Sequence, residues 1–131
     1  MFKRGVDLKW LLNEVKEKGR IDSRVRALLR ENYGSRLDRA LECLEWGRVK
    51  KYVFKPSGRV LWLVVGEGRQ YIIRNMSFCT CEDFYLEVLV RREINACYHI
   101  IARVLGEALG KYEEYEESDA SYSSIVMEAL P

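Results

Sequence analysis

Apolar residues recur at helical spacing over residues 6–18, where Val6, Leu8, Leu11, Leu12 and Val15 share one face. Gly19 closes this predicted helix. Asp22 is placed to cap a second one, whose buried stripe is Val25, Leu28 and Leu29. Gly34 breaks that helix, and Ser35-Arg36-Leu37-Asp38 resembles a capping box opening a third, with Leu37, Leu41 and Leu44 inward and Gly47 at its end. Three short helices are thus predicted before residue 48.

The period then changes. Residues 48–54 alternate loosely, 60–65 are continuously apolar, and 70–76 carry Tyr71, Ile72 and Ile73. Pro56-Ser57-Gly58 and Gly66-Glu67-Gly68 separate them as turns. The simplest arrangement is a three-stranded antiparallel meander whose middle strand is covered on both faces. Helical spacing returns over residues 83–91 and 97–117, with Glu113 to Glu117 as a solvated helix end. A last amphipathic stretch runs from Tyr122 through Ile125, Val126 and Leu130. The expected fold class is α+β: N-terminal short helices, the meander, and C-terminal helices. It is read as one domain over 1–131, divided into a helical part (1–47), a sheet with the cysteine-bearing segments (48–118) and the amphipathic tail (119–131).

At 131 residues and 48% hydrophobic, the chain suits a single packed domain and is too apolar for a disordered one. No apolar run approaches the ~18 residues of a membrane span. The first residues, Met1-Phe2-Lys3-Arg4-Gly5, lead directly into charged helical sequence, so an intracellular protein is expected, cytoplasmic or nucleoid-associated in a prokaryote and nuclear in a eukaryote. No glycine-rich phosphate loop is present, which argues against nucleotide-dependent chemistry. The small net charge of +2 hides an asymmetry: residues 1–60 hold 16 Lys and Arg against 8 Asp and Glu, and residues 61–131 hold 6 against 12. Such polarity fits either two surfaces for different partners or a solvated helical surface rich in arginine.

The chemistry lies in the cysteines. Three of the four Cys and the only His form Cys79-Thr80-Cys81 and, after fifteen residues, Cys97-Tyr98-His99. Four soft or borderline donors in two pairs complete a tetrahedral zinc site. In extended chain Cys79 and Cys81 point the same way. On a helix, Cys97 and His99 would diverge by about 200°, so Cys97 belongs just outside or in the first turn, where the N-terminal dipole also favours a thiolate. A Cys79–Cys81 disulfide would be strained, and a redox pair explains neither Cys97 nor the histidine. Cys43, between Leu41 and Leu44, reads as a packed core thiol.

This spacing resembles the SWIM-type zinc finger, C-x-C followed by C-x-H, with Phe84 at the usual aromatic position. Residues 33–41, the hairpin 55–59 and residues 100–109 resemble the SWIM-domain subunit of Shu-type recombination complexes, over roughly residues 30–130. The resemblance implies one zinc ion per chain on Cys79, Cys81, Cys97 and His99. It also implies a RecA-like recombinase paralogue as partner, and a role in assembling recombinase on single-stranded DNA. Two departures are Glu82, where many members have Pro, and Tyr98, often Lys.

The leading expectation is therefore a non-catalytic zinc-bearing adaptor in homologous recombination. The alternative is a free-standing SWIM-type DNA-binding regulator or mobile-element protein. A zinc hydrolase would need a metal position left open for water, which four protein donors do not leave. Arg48, Lys50, Lys51, Lys55 and Arg59 form a basic cluster interleaved with Tyr52 and Phe54. That cluster suits unpaired bases, or equally a half-buried strand with a wet basic face. Tyr122, Ile125, Val126 and Leu130 either dock within the chain or offer a face to a second protein. Trp10, Trp46 and Trp62 are expected in the core.

Overall fold

The computed structural model describes residues 1–130. The helical third consists of α1 (Leu8–Lys18), α2 (Ser23–Tyr33) and α3 (Ser35–Glu45). Asp7 caps α1 by accepting the Trp10 N–H, and Asp22 caps α2 by accepting the Val25 N–H. The expected capping box of α3 does not form. Gly34 occupies the cap without a side-chain bond, and Asp38 instead accepts two hydrogen bonds from Arg30 of the preceding helix.

Next come β1 (Val49–Lys55), β2 (Val60–Gly66), β3 (Arg69–Arg74) and the two-residue β4 (Phe78–Cys79). A π-helical turn, Phe84–Val90, precedes α4 (Tyr98–Leu109). Then follow β5 (Glu113–Ser118), a 3₁₀ turn (Asp119–Ser121) and α5 (Tyr122–Ala129). The α+β class and the antiparallel β1–β2–β3 meander are as expected. The sheet, however, has five strands in the order β4-β3-β2-β1-β5, with β5 parallel to β1.

The predicted helix over 97–117 is thus corrected. It ends at Gly110, which takes a left-handed φ of 70° as the Lys111 N–H returns to the Gly106 carbonyl. The glutamate run follows as a strand. In a helix those carboxylates would repel at i, i+4; against β1, Glu113 and Glu114 stand opposite Lys50 and Lys51.

Two apolar clusters cover the two faces of the sheet. The larger joins α1–α4 to Val49, Trp62, Val64 and Ile73. At its centre α4 buries Ile100, Ile101, Ala102, Val104 and Leu105 between α1, α3 and the sheet. At Gly106 a Cβ would come within 3.3 Å of Leu44 and Val49, so glycine permits that close approach of α3 and β1. The smaller cluster sets Ala129 of α5 on Phe54, Leu61, Leu63 and Ile72. The amphipathic tail therefore docks internally: Tyr122, Ile125 and Val126 pack on this second face, and Leu130 stays exposed. Alternation along β2 sends Leu61 and Leu63 to one cluster and Trp62 and Val64 to the other, which explains its unbroken apolar run. Only Trp62 of the tryptophans is core, at 3% exposed; Trp10 and Trp46 are 39% and 68% exposed on helix ends and outer faces.

Candidate metal centre

The zinc-type donors converge. One ligand atom each from Cys79, Cys81, Cys97 and His99 lies within 4.8 Å of the others, and all four residues are buried. Tetrahedral zinc–thiolate bonds of about 2.3 Å require donor separations on the order of 3.8 Å, within that span. Both ring nitrogens of His99 are buried without a hydrogen-bond partner. An imidazole so placed lacks what it normally has in an interior, and a metal ion supplies it. Three soft thiol donors and one imidazole fit zinc.

Each ligand is placed by its own element. Cys79 ends β4, opposite Ile73. Thr80 then pairs with Ile72 twice, its N–H donating to the Ile72 carbonyl at 3.1 Å and its hydroxyl accepting the Ile72 N–H at 3.0 Å. This bond pair turns Thr80 away from the cluster and lets Cys79 and Cys81 point together. The Cys81 sulfur accepts the N–H of Phe84 at 3.3 Å. Phe84 itself is buried and meets Phe78 edge-on at 5.5 Å.

Cys97 is the N-cap residue of α4, in extended conformation, with His99 in the first turn. The segment entering it is anchored by Asn95, whose amide donates to the Val6 carbonyl and accepts from the Tyr33 hydroxyl at 2.7 Å. His99 packs against Tyr71 and Tyr98, with ring centroids at 4.1 and 3.9 Å. Tyr98, the departure from Lys, holds its outer side against the Arg39 guanidinium at 5.0 Å.

Hydrogen bonds from Cys79 and Cys97 hold Cys81 well below the ordinary thiol range. The bond to Cys81 pushes Cys79 up to about 12, and burial pushes Cys97 up. A divalent ion offsets the cost of three buried thiolates. Cys43 stands apart on α3, buried and with its thiol pushed up by burial.

Within the expected nucleic-acid patch, two lysines face carboxylates. Lys50 pairs with Glu113 at 2.7 Å and Lys51 with Glu114 at 3.7 Å. Phe54 is buried, and Tyr52 stacks on Tyr115 at 5.2 Å. Arg48 lies half-buried at the other end of β1, lining a pocket with Cys43 and Tyr98. Lys55 is exposed, and Arg59 lies over the Tyr122 ring. Sequence reasoning missed Thr80, Asn95 and the Arg36–Asp83 pair, all of which support the knuckle through partners distant in sequence. Only Thr80 carried a local signal, as the residue that alternation turns away from two inward cysteines.

No family model matches the chain, and no solved structure matches it significantly. Named relatives do. The "Zinc finger SWIM domain-containing protein 7 homolog" of Dictyostelium discoideum is 30% identical over 90 residues, 67% of this chain and 58% of that protein. The chain therefore spans little more than half of that relative's length. An uncharacterised protein of Archaeoglobus fulgidus is 31% identical over 95 residues, 72% of this chain and 74% of its own. Zinc finger SWIM domain-containing protein 7 of Mus musculus is 27% identical over 116 residues, 87% of this chain and 76% of its own. With the C-x-C and C-x-H pairs gathered into one buried knuckle, these relatives support reading the chain as a SWIM-type zinc finger protein.

Proposed function

We propose that this protein is a non-catalytic adaptor in homologous recombination and DNA repair. It holds one zinc ion on Cys79, Cys81, Cys97 and His99, binds a RecA-like recombinase paralogue, and promotes recombinase assembly on single-stranded DNA. The observation that carries the reading is the knuckle itself: four protein donors, all buried, at the junction of sheet and central helix. Four such donors complete a tetrahedral shell and leave no place for the water a hydrolytic zinc needs. The ion then acts as a staple between β4 and α4. The likeness of residues 33–41, 55–59 and 100–109 to the SWIM-domain subunit of Shu-type complexes supports the recombination role.

The test is co-expression with the RecA-like paralogues of the source organism, followed by size-exclusion chromatography. A stable heteromer that dissolves when Cys97 is replaced by Ser is expected. Absence of any co-eluting paralogue, with the protein alone binding a defined duplex sequence, replaces the adaptor by a DNA-binding regulator.

A further inference from the structure

At one end of the sheet face covered by α5, a cleft of about 400 Å³ is lined by Arg59, Val60, Leu61, Arg74, Asn75 and Tyr122. Three segments distant in sequence meet here: the turn before β2, the end of β3 and the start of α5. The Arg59 guanidinium lies 4.5 Å from the Tyr122 ring centroid, and Arg74 donates from Nη2 to the Tyr122 hydroxyl at 3.4 Å. Tyr122 is itself fixed edge-on against the buried Phe54, at 5.0 Å.

Two exposed guanidiniums thus converge on one ring, and among the described residues neither is paired with a carboxylate. Asp119, three residues before Tyr122, spends both oxygens on Ser57, accepting from its N–H at 3.0 Å and its hydroxyl at 2.6 Å. The contrast with Lys50 and Lys51, each facing a glutamate, is sharp. Like charges held together without a counter-ion repel, and an oxyanion between them removes that cost. Guanidinium donors match the paired oxygens of a phosphate. Backed by Tyr122, the outer plane of Arg59 also offers an unpaired base a surface to stack on.

We propose that this cleft binds the backbone phosphate of a single-stranded nucleic acid, with Arg59 and Arg74 on the oxygens and the Arg59 plane against an adjacent base. The inference rests on the adaptor reading only for which strand is met in the cell; the contact belongs to this chain alone.

The experiment uses the full zinc-loaded chain and fluorescein-labelled oligo-dT of about 16 nucleotides, followed by anisotropy over a salt series. The double variant Arg59→Gln/Arg74→Gln is expected to bind roughly tenfold more weakly. Its slope of log affinity against log salt should be shallower by about 1.4, for two lost single-strand contacts. Lys50→Gln, whose cation already faces Glu113, should bind as the parent does. Zinc content and thermal melting should match across all variants, since both arginines are exposed. Equal binding by parent and double variant overturns the proposal, as does a parent that does not bind oligo-dT. It is also overturned if inorganic phosphate shifts the Arg59 and Arg74 side-chain NMR signals while oligo-dT does not, which marks a free-phosphate site. Because no partner protein is present, the result is independent of the co-elution test.

Discussion

Arg36 on α3 donates two hydrogen bonds, both 2.9 Å, to the carboxylate of Asp83, forty-seven residues later and two beyond Cys81. This bidentate pair ties the helical third to the loop that carries the second cysteine. It is half-buried, which shields it from solvent more than the Arg30–Asp38 pair. The bond to Asp83 raises the Arg36 pKa, with the charge of the nearby Glu87 adding to the effect.

Arg36→Ala should therefore keep the fold and weaken the metal. Support groups behind a metal shell are worth about 10-fold in affinity or more. Competition with a chromophoric chelator should show faster zinc release from Arg36→Ala and Asp83→Asn than from the parent. Arg30→Ala, which removes the exposed pair with Asp38, should release zinc at the parental rate.

Cys97→Ser and His99→Ala should lose zinc and unfold the knuckle together with the start of α4. Structural zinc contributes on the order of 10 kcal/mol in finger peptides, comparable to the whole stability of a small domain. Elemental analysis and thermal melting of the same samples check this. Cys43→Ala, outside the cluster, should retain one zinc per chain and lose only packing, about 1 kcal/mol.

Zinc binding should release protons near neutral pH, because the ion takes its cysteines as thiolates. The bond to Cys81 pushes Cys79 up and burial pushes Cys97 up, so both favour the protonated form until the ion takes them as thiolates. Affinity should consequently fall as pH falls. Calorimetry in buffers of different ionisation heat counts the protons. A count of zero would mean that the cysteines do not bind the ion as thiolates.

Removing the contact of α5 with the sheet should uncover the smaller cluster. Ile125→Ala should cost on the order of 1–2 kcal/mol, the lower range for apolar truncation because the residue is half-buried. Ile125→Asp combined with Val126→Asp should expose Phe54, Leu61 and Leu63, read as increased binding of a hydrophobic dye. Zinc should remain bound in these variants, since α5 lies on the opposite face from the knuckle.

Local periodicity sufficed for α1, α2, the meander and the position of Cys97 at a helix start. Each rests on interactions within a few residues: caps by Asp7 and Asp22, alternation along β2, and the i, i+2 geometry of two short motifs. The four metal-site residues were legible for the same reason, because paired spacing and the single histidine left few other combinations. Tertiary contact decided the rest. Residues 113–117 have no strand pattern of their own; they extend along β1, where Lys50 and Lys51 lie opposite Glu113 and Glu114. The same pairing drew those lysines out of the basic cluster that the sequence displays. Asp38 gave up a local cap for Arg30 on a neighbouring helix, and Trp46 sits outside because α3 turns another face inward. Sequence patterns report which residues are apolar or charged, whereas the choice of partner across the fold depends on which elements the chain brings side by side.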